Sequence, residues 1–194
     1  MHKLTRIDLY SLEQYAEQRS AFRDKVMAHK KDRRLALGPH AALYFEDRLT
    51  IQYQVQEMLR AERIFESAGI DEELDAYNPL IPDGSNWKAT FMLEYDDVNE
   101  RRSALEKLIG IEDRVWVKIA GLEPVFAVAD EDLERDTEQK TSAVHFLRFE
   151  LSPQMVAAAK EGAAISMGID FPAYQHVSDP IPENIRVSLV KDFD

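Results

Sequence analysis

The sequence predicts an α+β protein: an N-terminal long helical hairpin packed on a largely antiparallel sheet with two short helices. Three observations carry this. From Ala41 to Gly69, AALYFEDRLTIQYQVQEMLRAERIFESAG, apolar residues recur at steps of three and four, the rhythm of one helix face. Trp87 to Tyr95 and Thr141 to Leu151 instead alternate apolar and polar side chains, the period of a strand with one buried face. No segment recurs at the period of about 20–50 residues that marks a solenoid or propeller.

The N-terminal elements follow from their punctuation. Ser11 and Gln14 have capping-box spacing and open a helix from about Leu12 to Arg34, with Leu12, Tyr15, Phe22, Val26 and Met27 as its apolar stripe. Its last turn, with Lys30, Lys31, Arg33 and Arg34, reads as a solvated end that complements the helix dipole. Gly38-Pro39 breaks the chain, and the central helix then runs from Ala41 until Gly69 closes it. The short connection folds the two helices into a hairpin. Ile70 to Asn86 is irregular, with one helical turn at Asp71 to Asp75 and turn signals at Asn78-Pro79 and Pro82-Asp83-Gly84. It divides a hairpin region, 1–70, from a mixed α/β sheet region, 71–194, the two sharing one continuous core.

In the second region, the strand from Trp87 to Tyr95 is followed by a helix over Val98 to Ile109, capped by Asp97 and ended by Gly110. Val115 to Ile119 and Val125 to Ala129 read as strands. Asp130 to Lys140, DEDLERDTEQK, has Leu133 as its one apolar residue and reads as a solvated loop or exposed helix. A lid or a cation-binding arm is its functional alternative. In the strand from Thr141 to Leu151, His145, Leu147, Phe149 and Leu151 share a face. Ser152-Pro153 opens a short helix to about Glu161. A strand over Ala163 to Ile169 and a proline-bearing connection lead to Ile185, Val187 and Leu189, whose alternation predicts a last strand at an edge.

Composition narrows the function classes. The 194 residues are 45% hydrophobic and 31% charged, enough for one substantial core. A formal net charge of −12 sets a field that repels nucleic acid and anionic membranes. The absence of cysteine excludes disulfides, thiolate nucleophiles and cysteine-ligated zinc or iron–sulfur centres. No apolar run reaches the length of a signal peptide or a membrane span. The expectation is a cytoplasmic protein with no nucleic acid or membrane partner.

Ionisable residues on the central stretch are the candidates for chemistry. Arg48 and Glu62 fall on its apolar stripe, and Glu46 and Glu57 border it; a buried carboxylate is costly unless paired or metal-bound. Three readings stand. One is an internal polar network in which Arg48 and Arg60 answer Glu57 and Glu62. Another is a carboxylate-lined pocket under the central helix for a metal or small ligand, built from Glu46, Glu57, Glu62 and His145. The third is a helix-pairing surface in a homo-oligomer. His145 stands out because an imidazole on an apolar strand face needs a partner. Asp170, at a strand end ahead of Pro172, reads as a turn-stabilising member of a polar network. No Glu-x-x-His pair, glycine-rich phosphate loop, HExxH or GxSxG occurs. The sequence therefore assigns no catalytic residue and names no cofactor.

Taken together, LYFEDRLTIQYQVQEMLRAERIF, LDAYNPLIPDGSNWKATFMLEY, IEDRVWV, VHFLRFEL and MGIDFPAY resemble a bacterial family, of about this length, catalogued only as a domain of unknown function. The resemblance spans nearly the whole chain. Members of that family are encoded beside rubrerythrin-like proteins and iron–sulfur oxidoreductases, which implies a redox or peroxide-stress setting and redox partner proteins. Relatives carry His where this chain has Phe171, which removes a histidine-dependent role from that position here. The resulting expectation is a cytosolic accessory or interaction protein that self-associates. The alternative is a metal- or small-ligand-binding protein or enzyme using the pocket under the central helix.

Overall fold

Ser11 caps the first helix as its spacing predicts: its hydroxyl accepts the Gln14 backbone N–H, and Gln14 reaches back to the Ser11 N–H. The helix, α1, is Leu12–Lys30, and it buries Tyr15, Phe22 and Val26. The computed structural model describes residues 2–131, 135–137 and 139–194 of the chain; Leu133 lies outside them.

The chain next departs from the sequence reading. Strands β1 (Arg34–Ala36) and β2 (Ala41–Glu46) form an antiparallel hairpin. Gly38 supplies its turn with φ +78°, and a Cβ there would lie 2.4 Å from the His176 ring. The central helix is correspondingly shorter: α2 is Arg48–Glu62. Its true start signal is Asp47, whose carboxylate accepts the Leu49 and Thr50 N–H groups while Thr50 returns a bond to the Asp47 N–H. Tyr44 and Phe45 fit the apolar stripe of a helix, but in the structure Ala41, Leu43 and Phe45 share the inward face of a strand. The helix ends at Arg63, which takes the left-handed cap conformation expected of Gly69. Gly69 sits instead within α3 (Ser67–Tyr77), which occupies much of the segment read as irregular. Helices α1 and α2 still pack together through Tyr15, Phe22 and Val26 against Leu49 and Tyr53.

Beyond them the alternating strands appear where predicted: β3 (Asn86–Leu93), β4 (Val115–Ile119), β7 (Val144–Glu150) and β8 (Ile165–Phe171), with β9 (Tyr174–Ser178) in the connection after β8. The predicted strand at Val125 to Ala129 splits. Its first half, β5 (Val125–Phe126), pairs with β4, and its second, β6 (Val128–Ala129), pairs with β7. Helices α4 (Val98–Lys107) and α5 (Pro153–Lys160) are the two short helices. The last element is a correction: Glu183–Val190 is a helix, α6, not an edge strand. Ile185 and Leu189, one turn apart, are buried, whereas Val187 is 43% exposed. Only a helix separates those three positions in this way.

Among the described residues, all strand pairings are antiparallel and form two sheets, ordered β1-β2-β3-β7-β6 and β5-β4-β8-β9. Trp87, Phe91 and Phe149 from the first sheet meet Val115, Val117 and Ile169 from the second in one core, which α4, α5 and α6 close with Leu105, Met155 and Leu189. The architecture is α+β. The corner where the chain passes from β5 to β6, between the sheets, is where the charged residues gather.

Candidate functional site

Strand β7 alternates as its sequence requires, so His145 points into the core, in register with Phe91 of β3, and is fully buried. A buried imidazole must satisfy both ring nitrogens. On one side stands Asp130, immediately after β6, in the left-handed region at φ 49° that Asp tolerates better than most residues. Its Oδ2 lies 2.6 Å from His145 Nδ1. Its Oδ1 accepts the Phe146 N–H at 2.9 Å and an Arg135 N–H at 3.0 Å, so the carboxylate is held from three directions. Arg135 lies over the Phe146 ring.

On the other side, the polar neighbours of Nε2 among the described residues are oxygens. Thr141 Oγ1 is at 2.9 Å, the Ser142 carbonyl at 3.1 Å and Glu112 Oε2 at 3.8 Å. The Thr141 hydroxyl has one proton and two acceptors for it, since Asp136 Oδ1 is 2.5 Å away. The second oxygen of Asp136 accepts the Gly110 N–H. Glu112 comes from the short 3-10 turn that leads into β4, is 7% exposed, and leaves Oε2 without a hydrogen-bond partner among the described residues. Burial pushes its carboxyl up to about 7, with Asp136 adding to the shift and His145 opposing it. One ligand atom each from Glu112, Asp136 and His145 lies within 4.8 Å of the others. The group borders an open cavity of about 730 Å³ walled by Ile109, Gly110, Asp113 and Thr137. Three carboxylates thus converge on one imidazole, and no fixed donor among the described residues reaches Glu112 Oε2.

The remaining sequence candidates do not converge on this point. Glu46 accepts hydroxyls from Thr50 at 2.5 Å and Thr90 at 2.8 Å. Glu57 receives the Tyr15 hydroxyl at 2.6 Å and two Arg19 bonds at 2.8 Å, which drive its pKa down to about 2, Arg19 foremost. Arg60 is exposed and adds a smaller pull on Glu57. Arg48 pairs with Asp8. Glu62 is exposed in the last turn of α2, so its placement on the buried stripe is corrected. Asp170, exposed on β8, pairs with Arg114 at 2.6 Å.

Sequence reasoning singled out none of Glu112, Asp130 and Asp136, although it offered Asp130 to Lys140 as a cation-binding arm, because each sits in a charged, loop-like stretch. The available signal was proximity: the acidic run feeds directly into the strand that carries His145. It also missed Arg33, read as a solvated helix end. Arg33 is 2% exposed and donates to the carbonyls of Phe45 and Glu46 and to both Asp192 oxygens, with Asp47 at 3.4 Å. His29 meets the same Asp47 at 2.5 Å.

Fold and site together define an α+β protein of two antiparallel sheets with a buried histidine–carboxylate cluster at their junction. The chain belongs to DUF3501, a family of proteins of unknown function whose model matches residues 3–193. It is similar, at 52% identity over 100% of both chains and a TM-score of 0.94, to a protein of unknown function from Burkholderia pseudomallei with a solved crystal structure. No curated protein matches. Among the described residues, no helix is long and apolar enough to cross a membrane.

Proposed function

We propose that the protein binds a divalent transition-metal ion through Glu112, Asp136 and His145. The observation that carries this reading is the unpartnered, buried Glu112 Oε2 facing an imidazole nitrogen that is otherwise ringed by oxygens. A positive charge at that point answers all of these acceptors at once, either as protons or as an ion. Asp130 is placed as the outer partner that an ion would need. A carboxylate on the far ring nitrogen fixes the tautomer that leaves Nε2 free to ligate and raises its basicity, the usual outer partner of a metal-bound histidine. One imidazole and two carboxylates suit Mn²⁺, Fe²⁺ or Zn²⁺ better than a soft thiophilic ion. Three protein ligands beside an open cavity leave a coordination position for a small molecule, the pattern of a reactive rather than a structural site. A redox-competent ion at this centre fits the redox setting that the family resemblance implies.

Protein purified without chelators, measured by elemental analysis, is expected to hold close to one equivalent of one of these ions. After chelation, titration with Mn²⁺, Fe²⁺ or Zn²⁺ should restore it and raise the melting temperature. Glu112→Gln should abolish both effects. Lack of stoichiometric metal together with an unchanged melting temperature on titration would leave a proton-bridged cluster and overturn the reading.

A further inference from the structure

A second cavity, of about 580 Å³, lies beneath α2 and α3 on the outer face of the five-stranded sheet. Phe146, Met58, Tyr77 and Leu80 give it apolar walls, and its charged lining is Lys88 of β3 and Arg148 with Glu46, Glu73 and Glu131. Its size is that of a small-molecule site.

The register makes Lys88 unusual. Glu46 stands directly opposite it on β2 and Arg148 directly opposite on β7. Glu46, of opposite charge, would ordinarily pair with Lys88 across the strands, whereas Arg148, of like charge, repels it. Here Glu46 spends both oxygens on the hydroxyls of Thr50 and Thr90, and Arg148 is occupied by Glu131 and Glu150. Lys88 donates to the carbonyls of Pro79 at 2.5 Å and Ile81 at 3.1 Å, and among the described residues no carboxylate lies within ion-pair distance of it. An ammonium has three donors, so one remains, on a half-buried cation that Asp83 and Glu131 act on only from beyond ion-pair distance. Burial lowers the pKa of Lys88, and Lys3 and Arg148 act in the same direction.

We propose that this cavity binds a small amphipathic carboxylate, with its head group on Lys88 and its apolar body against Phe146, Met58 and Tyr77. A single negative charge supplies what Lys88 lacks. The nearby Asp83 and Glu131, which already act on Lys88, disfavour a doubly charged head such as a phosphate monoester. The site adjoins the His145 cluster through Phe146, whose N–H Asp130 accepts, but shares no proposed ligand with it, so each proposal is tested by its own probe.

The test is calorimetric titration of the full chain with decanoate and with 4-phenylbutyrate, using decyltrimethylammonium as the control of opposite charge. Saturable binding of at least one carboxylate is expected, weakened about tenfold or more by Lys88→Met, with the cationic control binding about tenfold more weakly. Ala76→Trp, which places a large side chain at the cavity wall, should remove binding with Lys88 intact. Failure of both carboxylates to bind, equal binding of the cation, or affinity unchanged in Lys88→Met would overturn the proposal. Should Lys88→Met not fold, carboxylate binding unchanged in Ala76→Trp overturns it alone.

Discussion

Arg33 and His145 are both buried ionisable side chains in contact with acidic partners, and they differ in how donors and acceptors balance around them. Arg33 spends its donors on two backbone carbonyls, Asp192 and Ser188, and lies beside Asp47. Burial works against Asp47, but Arg33, the Thr50 N–H and His29 hold its carboxyl below the ordinary value, while burial pushes Asp192 up to about 6 against the pull of Arg33. The cluster ties the end of α1 to β2 and to the C-terminal segment after α6, and it is closed. Around His145 the acceptors outnumber the donors, and one carboxylate oxygen has no partner. Closed networks of this kind hold a fold together. An acceptor-rich one stores a local cost that an added cation relieves.

Removing the cation should therefore be severe in the first cluster. Arg33→Met leaves Asp192 and Asp47 buried without their partner and is expected to cost about 3–5 kcal/mol in denaturant unfolding. A loss below about 1 kcal/mol would erase the distinction between the clusters. The second cluster should behave in the opposite sense. Glu112→Gln replaces an orphaned acceptor with a group that also donates, so the metal-free variant should be as stable as the parent or up to about 1 kcal/mol more stable. The parent should gain about 2.7 kcal/mol from an ion present at about a hundred times its Kd, and the variant none. Thermal melts with and without metal read both effects.

Glu57 lies between these extremes, a quarter exposed and bound by Arg19 and Tyr15. Its pKa falls from 4.5 in the unfolded reference to about 2 in the fold. The folded state therefore binds the proton more weakly, so the contribution is present above about pH 4.5 and is lost as the pH drops toward 2. Glu57→Gln should flatten the stability profile across that window, as followed by urea midpoints at successive pH values. A profile parallel to the parent would show that the pair contributes nothing. The smallest effect belongs to Glu62: as an exposed residue, Glu62→Ala should stay within about 0.5 kcal/mol of the parent. A larger loss would mean that a third buried charge has been overlooked.

Where one force decided an element, the sequence revealed it. The alternation in Trp87–Leu93 and His145–Leu151 can be satisfied only by strands with one face in the core, and Ser11 with Gln14 marks a helix start without help from elsewhere. Where two patterns overlap, it misled. Ala41–Glu46 runs into a helical stripe without a break, and only the short Asp47–Thr50 cap separates them. Ile185, Val187 and Leu189 alternate, yet the segment is a helix that buries Ile185 and Leu189 one turn apart and leaves Val187 outside. His145 was legible because a histidine on an apolar face needs an explanation. Its partners were not, since they arrive from turns whose charge, taken alone, reads as hydration. Contact between distant loops is decided by tertiary packing, and nothing in the local pattern encodes it.

The passage of residues 125–129 from one sheet to the other has a mechanical consequence. Glu112 leads into β4 of the four-stranded sheet, His145 belongs to β7 of the five-stranded one, and Asp136 comes from the link between β6 and β7. Anything that bonds all three is a rivet through the seam. Load applied to pull the layers apart would be borne by that rivet together with the shared core, so filling or emptying it would change how stiffly the two sheets move against each other.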